Sequence, residues 1–132
     1  MNDRDIVRRE DIQSVIADGV STGFVVKLKI PYYRGVSLSL IDDITVTYDD
    51  EVYTRDQLTF TVGGLTHTFA EMATISLLRW EFGEKATVFV PRIGGIALGF
   101  HRISISVSIR ISYMGEAKPR VIVLEDVCPK GG

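Results

Sequence analysis

The stretch HRISISVSIRISY, residues 101–113, decides the fold class. From 103 to 113 every odd position is apolar, while the even positions read Arg102, Ser104, Ser106, Ser108, Arg110 and Ser112. Such sustained alternation is the period of a β-strand with one face in a core, because successive side chains point to opposite faces. The other face is unusual. Water-facing strand surfaces ordinarily carry longer polar side chains, and serine is short and a mediocre strand former. Either this row of hydroxyls is a plain wet surface, or a second sheet or a partner lies against it.

Working outward, the same alternation recurs. Phe24, Val26, Leu28 and Ile30 interleave with Val25, Lys27 and Lys29 as a half-buried strand that Pro31 stops. Gly35 turns the chain into a short strand over 36–40. ITVTY (44–48) is a third strand, and YDDE (48–51) is a tight turn before Val52 and Tyr53. LTFTVGGLTHTF (58–69) reads as a hairpin, since Gly63 and Gly64 can both take the positive φ that a two-residue turn demands. Residues 70–83 fit either a helix or a strand, and a strand over 74–82 is the expectation. ATVFV (86–90) is a strand broken by Pro91, GGIALG (94–99) a glycine-rich loop, and RVIVLEDV (120–127) the last strand. The apolar clusters at 6–7 and 12–16 fit a short helix or a leading edge strand. The sum is an all-β antiparallel sandwich, jelly-roll-like, of about eight to nine strands with little helix. It is expected to form a single domain over 1–132, with a less ordered N-terminal segment (about 1–18) and C-terminal tail (about 127–132).

Composition excludes several function classes. With 45% hydrophobic and 24% charged residues the 132-residue chain is ordinary globular protein. A net charge of −2 gives no electrostatic footprint for nucleic acid. No apolar run approaches a membrane span, and the charged start MNDRDIVRREDIQ has no secretory core. The single cysteine, Cys128, reads as a spare thiol of a reducing compartment, so the expected location is the cytoplasm.

Catalytic constellations are missing. His67 and His101 lie on different strands with no HxH or ExxH pair, so no metal site is expected in this chain. No G-x-S-x-G turn is present, and the serines of 104–112 sit on a regular strand with no base fixed beside them. The acidic pairs at 42–43, 49–50 and 125–126 fall at turns or strand ends, where such pairs are routine. Two segments stand out instead. PYYRG puts Tyr32, Tyr33 and Arg34 at a strand end, and these residue types supply much of the energy of buried interfaces. GIALGFHR carries His101 out of a flexible loop, either as a polar binding residue or as a satisfied structural histidine.

TGF (22–24), YYRGVSLS (32–39), FAEM (69–72), WEFGEKATV (80–88), GGIALGFH (94–101) and RISY (110–113) together resemble, in order, the small beta subunit of the C-glycoside deglycosidases. The resemblance implies a heteromer with a larger TIM-barrel alpha subunit that holds a divalent metal, typically manganese. It further implies cleavage of the carbon–carbon bond between a 3-oxidised sugar and an aromatic, flavonoid-type aglycone. In that scheme the general base belongs to the alpha subunit, and no catalytic residue is carried onto this chain. The expected role is an accessory one, supporting assembly and shaping the mouth of the partner's site. Candidate contacts to substrate or partner are Tyr32, Tyr33, Arg34, Trp80, Phe100 and His101, with neither nucleic acid nor membrane as partner. The alternative is a stand-alone β-sandwich that binds sugars or polyphenols.

Overall fold

The computed structural model describes residues 6–30, 35–72, 74, 75, 77–110 and 119–128. Among them the opening stretch forms β10 (His101–Ile109), and the alternation has its anticipated effect. Ile103, Ile105 and Val107 are at most 1% exposed. Their face lies in the core between two sheets.

One sheet has five strands: β1 (Ile12–Ala17), β2 (Val20–Lys29), β9 (Lys85–Val90), β6 (Thr59–Val62) and β7 (Leu65–Thr68), side by side in that order. The other runs β11 (Pro119–Val127), β10, β4 (Ile41–Tyr48) and β5 (Glu51–Tyr53). A two-residue ladder joins β3 (Val36–Ser37) to β8 (Arg79–Trp80). Every pairing is antiparallel. The fold is therefore the all-β sandwich, with nine described strands in its two main sheets. No described helix is long and apolar enough to cross a membrane.

The core joins Phe24, Val26 and Leu28 of β2 and Ala86, Val88 and Val90 of β9 with Ile44, Val46 and Tyr48 of β4 and Ile122 of β11. Burying each of the larger side chains contributes about 1.5–3 kcal/mol. Trp80 is wholly buried, edge-on to Phe60 with ring centres 5.4 Å apart, and its indole N–H donates to the Glu84 carbonyl at 2.8 Å.

The apolar cluster at 12–16 lies on an edge strand, β1, preceded by a 3-10 turn over Arg9–Asp11. Ile6, Val7 and Ile12 are core residues, and β1 pairs with β2 along its length around a bulge at Val15 and Ile16. Asp11, only 6% exposed, accepts from the Arg8 backbone N–H at 2.9 Å and from Lys85 Nζ at 2.7 Å, so its charge is paired.

Two elements depart from the sequence expectation. The strand expected over 74–82 is confined to Arg79–Trp80. Upstream, Phe69–Met72 closes a single helical turn. Thr68 caps it: the Glu71 N–H donates to Thr68 Oγ1 at 3.2 Å, and the Thr68 N–H to Glu71 Oε1 at 2.8 Å. Leu77, 92% exposed, then points away from the core. Likewise the strand expected over 36–40 gives way after Ser37 to a 3-10 turn, Leu38–Leu40, which brings Leu38 inward.

The serine face is not covered by the second sheet, which packs on the isoleucine side. It is the outer surface of the four-stranded sheet, half-buried between flanking strands. Ser104 lies between Thr47 and Val123, Ser106 between Thr45 and Val121, and Ser108 between Asp43 and Pro119.

Candidate functional site

The end of the sandwich where β9 turns into β10 is built around the loop 91–100. Pro91 has no N–H to continue the ladder, so β9 stops at Val90. Gly94, Gly95 and Gly99 all have positive φ. At Gly95 the reason is close approach as well as turn: a Cβ there would collide with Ser21 Oγ and stand 2.7 Å from Ser14 Oγ.

Hydrogen bonds pin the loop backbone to both sheets. The Gly94 N–H donates to the Ser21 carbonyl at 3.0 Å, and the Gly95 N–H to the Arg92 carbonyl at 2.8 Å. The Ile96 N–H donates to Ser14 Oγ at 3.0 Å and the Ala97 N–H to the Tyr48 hydroxyl at 2.9 Å. Arg92 Nη1 donates to the Gly95 carbonyl at 2.6 Å. Ile96 is buried beneath this network. Above it, Ile93, Leu98 and Phe100 are 85%, 91% and 74% exposed. Ile16 and Val20, also exposed, stand on the neighbouring β1–β2 hairpin beside Ser21. The end of the molecule is thus apolar outside, over a hydrogen-bonded backbone.

A charged cluster supports it from below. Asp49, in the β4–β5 turn at φ 51°, exchanges backbone and side-chain bonds with Arg102: its N–H donates to the Arg102 carbonyl at 2.8 Å, and its Oδ1 accepts from the Arg102 N–H at 2.9 Å. Asp49 Oδ2 meets His101 Nδ1 at 2.7 Å, and His101 Nε2 meets the Ala97 carbonyl at 2.9 Å. The imidazole stacks on the Tyr48 ring with centres 4.8 Å apart, and the Arg92 guanidinium lies 4.2 Å from that ring's centre. Arg92 also grips Glu51, Nε to Oε1 at 3.2 Å, and the Tyr53 hydroxyl donates to the same oxygen at 2.8 Å. The Arg102 N–H and then the His101 ring hold the Asp49 carboxyl below its ordinary pKa. The Tyr53 hydroxyl and Arg92 do the same for Glu51. Burial opposes charge on His101, but the bonds to Asp49 and to the Ala97 carbonyl outweigh it and raise its pKa.

Of the residues proposed from sequence, Phe100 and His101 belong to this end. Phe100 is presented to solvent and His101 lies beneath the loop with both ring nitrogens engaged. Trp80 is a core residue, so it supports the fold from inside and offers no surface. Tyr32, Tyr33 and Arg34 lie outside the described residues. The sequence reading missed Tyr48, Asp49, Arg92, Ile93 and Leu98. Asp49 was visible only as half of a routine acidic turn, and its histidine is 52 positions away.

Below the cluster, Thr47, Asp49, Arg102, Ser104, Val121 and Val123 line an open depression of about 340 Å³ on the serine face. Among the described residues no group of three or more His, Cys, Asp and Glu side chains is placed to hold a metal ion.

Comparison with known proteins places the chain as a whole among relatives. The family model described as C-glycoside deglycosidase beta subunit matches residues 2–113. A protein of Eubacterium cellulosolvens named C-glycoside deglycosidase beta subunit is 37% identical over 97 residues, covering 74% of this chain and 66%, just under two thirds, of its own. An Arthrobacter globiformis protein of the same name is 28% identical over 76% of each chain. A Microbacterium protein named 3'-dehydrocarminate deglycosidase beta subunit is 29% identical over 76% of this chain and 74% of its own. The chain therefore belongs to the C-glycoside deglycosidase beta subunit family.

Proposed function

We propose that the chain is the accessory subunit of a heteromeric deglycosidase and that its larger partner docks on the end formed by the loop 91–100. One observation carries this reading: Ile93, Leu98 and Phe100 are strongly exposed on a loop whose backbone is hydrogen-bonded from Gly94 to Ala97. Single exposed apolar residues are common, but several grouped on one fixed loop are a feature of interfaces. Fixing the backbone beforehand lowers the ordering cost of association, and an aromatic anchor such as Phe100 supplies contact area. The relatives' names favour a second, different chain as the occupant, since a beta subunit presupposes another.

On this reading the complex acts on a C-glycoside whose sugar carries a carbonyl at C3. The 3'-dehydro substrate in the name of the Microbacterium relative supports that choice. The carbonyl acidifies the C2 proton; a general base removes it, and the electron pair forms a C1–C2 double bond in the sugar. The carbon–carbon bond to the aglycone breaks, its pair being taken up by the aglycone with its phenol group assisting and its carbon gaining a proton. We assign the base and a divalent metal, manganese, to the larger subunit, read as a TIM barrel. This chain's part is to hold that subunit and to border the mouth of its site. The depression on the serine face favours a second reading, a module that binds sugar or polyphenol by itself.

The test is co-expression with a larger subunit encoded beside it, followed by size exclusion with mass determination and assay on a 3-oxo-C-glycoside with manganese. A stable heteromer, active only when both chains are present, is the expected result. Two chains that elute apart, with activity in the larger one alone, would overturn the accessory role. Binding of a flavonoid glycoside by the isolated chain would then favour the second reading.

A further inference from the structure

The hydrogen bonds of His101 fix its proton count. Asp49 Oδ2 stands 2.7 Å from Nδ1, and the Ala97 carbonyl oxygen 2.9 Å from Nε2. An ionised carboxylate and a carbonyl only accept, whereas a neutral imidazole has one N–H and an imidazolium two. A neutral ring therefore satisfies one partner and turns a lone pair on the other. We infer that His101 is held as the imidazolium, and that its second proton latches the loop 91–100 to the β4–β5 turn, so that losing it loosens the apolar end of the molecule.

The surroundings of the ring favour the charge. From the turn comes the Asp49 carboxylate, and from β5 Glu51, which Arg92 of the loop neutralises at 3.2 Å. Arg102 of β10 is paired with Glu125 of β11 at 3.0 Å, and β11 otherwise sets Val127 opposite His101. The ring also stacks on that of Tyr48, whose face attracts a cation, and the Leu98 backbone adds a further bond that favours the charge. Arg92 also bears on the same ring, and it is already spent on Glu51 and the Gly95 carbonyl.

The sign of the pH dependence follows. Because the folded state raises the pKa of His101, its contribution is complete below the ordinary value of 6.5 and is lost as pH rises through the raised one. Asp49, lowered by folding, contributes fully above 3.8 and loses that only as pH falls through its depressed pKa. The latch is closed between those limits and opens on the alkaline side.

The inference rests on the docking reading for its consequence alone, because the latch is measured on the isolated full-length chain. Long-range proton–nitrogen NMR spectra of the imidazoles, recorded from acid to alkaline pH, should show both His101 nitrogens protonated at pH 6.5. The backbone amides of 94–100 should shift and gain mobility with the same midpoint as the ring. Asp49→Asn should lower that midpoint, and His101→Gln should leave the loop amides without a transition in that range. A single protonated ring nitrogen at pH 6.5, or loop amides flat through the ring titration, would overturn the latch. If either variant fails to fold, the wild-type ring and amide titrations decide alone. A latch that titrates as described in a chain that binds no larger subunit would leave the inference standing and remove the docking reading.

Discussion

Gly95 shows how much a single position matters at the loop end. Its φ of 62° is left-handed, and its missing Cβ makes room for the Ser14 and Ser21 hydroxyls. Alanine there would suffer both the backbone strain and the collision, for a loss of about 2–4 kcal/mol. Thermal or urea unfolding checks it; the same change at Gly64, also at positive φ but with nothing within 4 Å, should cost only about 1 kcal/mol. Neither role of Gly95 could be read from GGIALG. The glycines marked a loop, but the serine hydroxyls that demand one of them come from β1 and β2, some eighty residues away in the chain.

At the scale of the element, alternation was the legible signal. It announced β2, β4, β9, β10 and β11, and paired glycines announced the turn between β6 and β7, where Gly63 and Gly64 have φ of 61° and 81°. Residues 74–82 misled because Leu77, Leu78, Trp80 and Phe82 look like a core strand while only Trp80 is fully buried. The cap set by Thr68 and Glu71 diverts the chain before a strand can form. The serine face of β10 was legible as an oddity, and its outer position now makes a test possible. Lysines at both Ser106 and Ser108 can extend into solvent, so the chain should fold with its melting temperature nearly unchanged. Heteromer formation, read by size exclusion, should fail if a partner lies on this face. Assembly unchanged would leave the face to water.

At the scale of the whole molecule, the sandwich and its family were open to sequence reading, whereas the site was open only in part. Phe100 and His101 stood in a recognisable segment; their neighbours Tyr48, Asp49 and Arg92 meet them only because β4, β9 and β10 end at the same place. If that end is the docking surface, Leu98→Ser with Phe100→Ser should weaken assembly at least tenfold, about 1.4 kcal/mol or more. The isolated variant should melt where the parent does, since both side chains lie outside the core. Equal affinity for the partner, measured by titration, would move the interface elsewhere on the molecule.

The position of β11 has a consequence for the cell. Among the described residues it stands at the edge of its sheet, with Arg9 Nε donating to its Glu125 carbonyl at 2.8 Å, and Val121 and Val123 are 52% and 38% exposed on its outward side. A strand of this kind offers both backbone hydrogen-bonding groups and apolar contact to another copy of itself. Copies made in excess would be drawn to one another along that edge. Expression of the chain by itself at rising levels should therefore shift a growing share of it into inclusion bodies.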